Sequence, residues 1–217
     1  MILLIHGAGA SSNNFNYLSL WLDQELQTVD YQVGDDHETI FKKIQRPNEV
    51  TYVIGHSYGG LLGAEWLSKD IRNVKGLVSI ATPWQGSPTA RILQWFLSDE
   101  VWKDMNPGSD LLRKINSINL TIPVKNIVAA PKSGNGLAGG IGSRGKSQND
   151  GTIPVASARA VPEGFRNAIT HELPFAHGEI MQTFDLVEQV RMFIDEPMKD
   201  VHKNRVVHLD LEVNRGY

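Results

Sequence analysis

Five residues, Gly55-His56-Ser57-Tyr58-Gly59, read G-x-S-x-G. An apolar strand-like run at residues 50–54 precedes them, and a helical pattern at 58–70 follows. A serine on such a strand–turn–helix corner stands exposed above a sheet edge, where its hydroxyl can act as a nucleophile. A hydroxyl is a weak nucleophile at neutral pH and needs a base. His177 is the candidate, because it follows a strand-like run ending near Phe175 and precedes the closing helical pattern. His171 lies within strand-like sequence, and His6 and His56 belong to other motifs. His37, His202 and His208 have no matching placement and read as solvated. The base in turn needs an acid to fix its tautomer and stabilise its cation. Asp150 ends a glycine-rich stretch after a strand-like run, whereas Asp104, Asp110 and Asp185 do not follow core strands. Developing charge on a carbonyl oxygen requires preformed N–H donors. The Tyr58 N–H and the Ala8 N–H, within His6-Gly7-Ala8-Gly9-Ala10, are the candidates. That glycine-rich turn lacks the Lys and Ser/Thr of a phosphate loop and does not match G-x-G-x-x-G.

The elements that must hold these groups alternate. Strands are predicted at 2–5, 28–33, 50–54, 75–81, 124–130 and 169–175. Helices are predicted at 13–27, 38–44, 58–70 and 179–194, the last with Ile180, Phe184, Val187, Val190 and Ile194 on one face. Such alternation implies an α/β fold with a mostly parallel sheet flanked by helices. Residues 83–118 interrupt it with about two helices and hold Trp84, Trp95, Phe96 and Trp102; this reads as a small helical cap whose aromatics either line a substrate pocket or lid or form the cap's own small core. Residues 131–149 form a long glycine-rich loop of the kind that is often functional or mobile. Residues 1–196 read as one domain. The tail, 197–217, alternates apolar and polar residues from Val207 to Val213 and offers a further strand for a sheet edge or for homo-oligomer formation.

Composition narrows the partners. The 217 residues are 41% hydrophobic and 21% charged, which fits a globular domain large enough to bury most of its surface. A net charge of −3 provides no global field toward nucleic acid or anionic lipid. Without cysteine there is no thiolate nucleophile, thiolate metal site or disulfide. No apolar run approaches the ~20 residues that span a bilayer. The start, Met1-Ile2-Leu3-Leu4-Ile5, reaches His6 at once and lacks the pattern of a signal peptide, so a cytoplasmic location is expected.

The chain resembles the α/β-hydrolase superfamily, and within it the bacterial triacylglycerol lipases and esterases. The resemblance covers nearly all of residues 2–195. It rests on Ile5-His6-Gly7, residues 55–60, residues 80–88 with their Thr-Pro-x-x-Gly-Ser pattern, residues 150–155 and His177-Gly178. Residues 104–109 also resemble the family's short segment before a Leu-rich helix. The resemblance implies a trimmed α/β-hydrolase fold of about six strands, with the catalytic order Ser57, Asp150, His177. It implies a small-molecule or lipid ester as substrate, cleaved through an acyl-enzyme. No cofactor is expected. No metal is expected either, since no carboxylate cluster marks the structural Ca²⁺ that some of those lipases bind. Fold and triad do not choose the leaving group, so thioesterase, amidase and acyltransferase readings stand beside the esterase. A non-catalytic binding module on the same scaffold is the remaining alternative.

Overall fold

The computed structural model describes residues 1–69, 72–88, 100–132 and 148–195. Most of the glycine-rich loop, Trp95, Phe96 and the tail lie outside the described residues. Six strands form one sheet: β1 (Ile2–Ile5), β2 (Leu26–Val29), β3 (Tyr52–His56), β4 (Gly76–Ile80), β5 (Val124–Ala129) and β6 (Ala168–Leu173). Their spatial order is β2-β1-β3-β4-β5-β6, and every pair is parallel. The helices are α1 (Asn16–Ser19), α2 (His37–Lys42), α3 (Tyr58–Leu67), α4 (Glu100–Asp104), α5 (Asp110–Asn116), α6 (Val155–Arg159) and α7 (Phe184–Asp195).

Both faces of the sheet are covered, which is why β1, β3 and β4 are buried along their whole length and largely apolar rather than alternating with exposed polar residues. Successive side chains of a strand still point to opposite faces. Leu3 and Ile5 pack with Val53, Leu77, Ile40 of α2, Leu61 of α3 and Ile115 of α5. Ile2 and Leu4 pack with Ile54, Val78, Leu18 of α1 and Val190 of α7.

The chain leaves β1 outward to β2 and then returns past it to β3. The connections diverge at the C-terminal ends of β1 and β3, which opens the crevice where open parallel sheets bind ligands. His6-Gly7 follows β1 and Ser57 follows β3, so both sit at that crevice.

Three expected elements change on folding: the second strand runs Leu26–Val29 rather than over the expected 28–33, and two helices are altered. The helix expected at 13–27 is a 3-10 turn (Ser12–Phe15) followed by the single-turn α1, and β2 begins at Leu26. Leu26 supplied the last position of the apparent helical period, but it pairs with Ile2 in the sheet. The closing helix is also divided: a 3-10 turn (Glu179–Gln182) precedes α7, and Thr183 Oγ1 accepts from the Leu186 N–H between them. This break shifts the helical phase. Phe184, expected on the buried face, is 56% exposed and meets Trp21 edge-on at 5.3 Å.

Candidate active site

Ser57 occupies the turn between β3 and α3 with φ 54° and ψ −123°, a conformation that L-residues rarely adopt. Its N–H donates to the Ile80 carbonyl at 2.8 Å, which ties the turn to β4. The strained residue is the serine itself, and the neighbouring glycines supply clearance. A Cβ on Gly59 would stand 2.0 Å from the Ile5 carbonyl oxygen, and one on Gly55 would stand 2.4 Å from the Gly59 oxygen. Glycine at both positions lets α3 lie directly on the ends of β1 and β3.

Asp150 and His177 meet beyond β5 and β6. His177 Nδ1 lies 2.7 Å from Asp150 Oδ2, and the His177 backbone N–H donates to the Asp150 carbonyl at 2.8 Å. The other carboxylate oxygen, Oδ1, accepts from the N–H groups of Thr152 (2.9 Å) and Ile153 (2.6 Å). Asp150 is 1% exposed, so this anchoring satisfies a buried acceptor. A carboxylate can only accept, so Nδ1 carries the proton, and in the neutral ring Nε2 keeps its lone pair. That is the tautomer a general base needs.

Ser57 and His177 line one cavity of about 270 Å³ with Gly7, Ala8, Gly9, Ala10, His56, Ser87, Trp102, Met105, Thr152 and Ile153. Ala8 lies in the turn after β1, and its neighbour Gly7 is packed so closely that a Cβ there would be 3.0 Å from Ser57 Cβ. His6 shapes this turn: its Nδ1 donates to the Gly7 carbonyl at 2.8 Å, and its ring stacks on Tyr31 at 4.2 Å. Burial lowers the His6 pKa, which keeps it a neutral hydrogen-bonding group. The Tyr58 N–H stands at the first position of α3, where no preceding helical carbonyl can accept it. The Tyr58 ring is fully buried and turned toward His37 and Asp104.

The aromatic residues of the expected cap divide. Trp102 lines the cavity. Trp84 does not: it is fully buried, its Nε1 donates to Asn126 Oδ1 at 3.1 Å, and its ring meets Phe165 edge-on. A fixed internal acceptor for the indole N–H holds it in the core. Trp95 and Phe96 lie outside the described residues.

Several residues gain roles that their sequence positions did not signal. His56 Nε2 donates to the His177 carbonyl at 3.1 Å, and the two rings lie 4.9 Å apart. Burial, reinforced by the neighbouring His177, lowers the His56 pKa to about 3, so it stays neutral and cannot compete as the base. His37 is not solvated. It sits among Tyr58, Glu65 and Asp104, three residues distant in sequence that only the packing of α2, α3 and α4 brings together. Ser87 and Thr152 were within reach of sequence reading, because both lie in or beside motifs already singled out. Among the described residues, no group of three or more His, Cys, Asp or Glu forms a metal site, and no helix is long and apolar enough to cross a membrane.

A family profile described as the alpha/beta hydrolase fold matches residues 32–114. No curated protein matches the chain by sequence. Among solved structures, the chain is similar to a metagenomic carboxyl esterase, MGS0156, at a TM-score of 0.71 and 15% identity, covering 91% of this chain and 76% of that one. It is similar to the mature Bacillus licheniformis lipase BlEst2 at a TM-score of 0.69 and 17% identity, covering 89% and 90%. It is similar to the lin2722 gene product of Listeria innocua at a TM-score of 0.63 and 14% identity, covering 92% and 95%.

Proposed function

We propose that this chain, a member of the α/β-hydrolase superfamily by fold, is a serine hydrolase that cleaves carboxylic esters through Ser57, His177 and Asp150. One observation carries the reading. A buried aspartate bonds Nδ1 of a histidine at 2.7 Å, and that histidine shares a cavity with a serine on a strained turn. In this reaction His177 Nε2 takes the Ser57 proton as Oγ attacks the ester carbonyl. The Ala8 and Tyr58 N–H groups hold the oxyanion of the tetrahedral intermediate. His177 then protonates the leaving alcohol, and a water activated by the same base hydrolyses the acyl-enzyme. Asp150 keeps the tautomer and stabilises the imidazolium.

The ester class is favoured by the cavity wall, where Ala8, Ala10, Trp102, Met105 and Ile153 present apolar surface to an acyl chain. The activities named for the similar carboxyl esterase and lipase agree with it. A cavity of about 270 Å³ lies at or below the ~300–1,000 Å³ of drug-sized sites and favours short acyl groups. The test is hydrolysis of p-nitrophenyl acetate, butyrate, octanoate and palmitate, with Ser57→Ala as control. Preference for the acetate and butyrate, lost in the variant, is the expected result. Equal rates in wild type and variant, or none in either, would overturn the reading. Activity confined to thioesters or amides would keep the serine chemistry and replace the ester.

A further inference from the structure

We propose that His37 is a positioning residue for this site: its imidazolium, held between Glu65 and Asp104, fixes the α4 wall of the cavity against the helix that follows the nucleophile. The inference rests on the proposed function for its link to catalysis. The tie itself is a matter of geometry.

His37 is the first residue of α2, and Asp36 caps that helix by accepting from the Thr39 N–H at 2.7 Å. The His37 ring reaches away from its own helix. Nδ1 lies 2.5 Å from Glu65 Oε2 on α3. Nε2 lies 2.8 Å from Asp104 Oδ2 on α4 and 2.8 Å from the Tyr58 hydroxyl on α3. That hydroxyl donates to Asp104 Oδ2 at 2.6 Å, and Lys114 Nζ on α5 donates to Glu65 Oε1 at 2.6 Å. Phe41, on the ring's own helix, stands 6.2 Å away. A carboxylate oxygen therefore stands at each ring nitrogen. Nε2–H donates to Asp104, and Nδ1 makes a close ionic contact with Glu65 Oε2 rather than an aligned hydrogen bond; the doubly protonated ring fits both, because a neutral imidazole would leave one nitrogen's lone pair against a carboxylate. Glu65 Oε2 is buried and makes no regular hydrogen bond, so its compensation is this ionic contact. Two cations, His37 and the half-exposed Lys114, face the two carboxylates.

The charges agree with the geometry. Burial alone would lower the His37 pKa, but the Asp104 and Glu65 contacts outweigh it and raise it to about 9. Burial would raise the Glu65 pKa, but His37 and Lys114 outweigh it and bring it to about 2.

The tie reaches the cavity at two points. Asp104 stands between Trp102 and Met105, which both line the cavity, and Tyr58 follows Ser57 directly. α4 has only five residues, too few to hold a helix by its own backbone bonds. Its place depends on Val101 and Met105 in the core and on the Asp104 contacts at its end. Loss of the His37 charge would leave the half-buried Asp104 and the buried Glu65 without this shared cation and loosen the wall against which an acyl chain rests.

The test compares full-length wild type, His37→Gln and Asp104→Asn, with circular dichroism and melting curves to establish folding. Asp104→Asn preserves shape and an acceptor for Tyr58 while removing one charge. On p-nitrophenyl butyrate near pH 7.5, His37→Gln should lose about tenfold in kcat/KM, mainly through KM, with a smaller loss in Asp104→Asn. The wild type should lose kcat/KM as pH rises through about 9, and His37→Gln should not. Unchanged KM in both variants, or an alkaline limb that persists in His37→Gln, would overturn the positioning role. Two readouts need no activity. The His37 ring proton, assigned by its loss in His37→Gln, should titrate near 9 by NMR, and amide exchange across residues 100–105 should rise in that variant. Titration near the ordinary 6.5 with unchanged exchange would refute the tie itself, whether or not the protein hydrolyses esters.

Discussion

Replacing Ser57 by glycine should raise stability while removing the proposed nucleophile. At φ 54° and ψ −123° the serine occupies a region that costs a residue with a Cβ about 1–3 kcal/mol. Glycine has no such cost, though its greater freedom in the unfolded chain disfavours folding by about 0.5–1 kcal/mol. Ser57→Ala is the proper reference, because it also removes the hydroxyl but keeps the Cβ and the strain. The difference between the variants should therefore favour glycine by about 1 kcal/mol, the reverse of the usual order in regular structure. For a chain of this size that corresponds to a midpoint about 2–4 °C higher. Calorimetry gives the midpoints and urea titration the free energies. A fluorophosphonate probe should label neither variant. If Ser57→Gly melts at or below Ser57→Ala, the turn stores no appreciable strain and the reasoning fails.

Gly59→Ala places a methyl 2.0 Å from the Ile5 carbonyl and 2.5 Å from that of His6, so α3 must move off β1. Both neighbours are backbone, and a loss of about 3 kcal/mol or more in urea is expected, together with loss of hydrolysis. Trp84→Phe removes the indole bond to Asn126 and should lower stability by about 1–2 kcal/mol with KM unchanged, whereas Trp102→Ala should alter KM and chain-length preference. The stability profile carries a sign set by His37. Its pKa of about 9 exceeds the unfolded 6.5, so its contribution is full below pH 6.5, declines above it and is gone above about 9. Allowing for solvent screening of a side chain 22% exposed, urea titrations should show about 2 kcal/mol less stability at pH 9.5 than at pH 6.5. His37→Gln should lack that decline.

Much of this design is legible in the chain itself, because its signals are local. Residues 55–59 mark the turn, the apolar runs mark the strands, and alternation with helices implies parallel pairing and a crevice at the strand ends. Asp150 and His177 could be nominated because each follows a strand. What the sequence could not decide depends on three-dimensional proximity or on phase. The apparent helix at 13–27 ended early because Leu26 was taken by the sheet, and Thr183 broke the phase that would have buried Phe184. Trp84 and Trp102 share a residue type and a segment, yet one meets Asn126 in the core and the other faces the cavity. His37 and Asp104 are 67 residues apart, and nothing local to either shows that folding will place them 2.8 Å apart. Side-chain type and local spacing determine which residues can do chemistry. Only the packing of helices on both faces of the sheet determines which of them are brought within hydrogen-bonding distance, and how burial and partner charge then set their protonation.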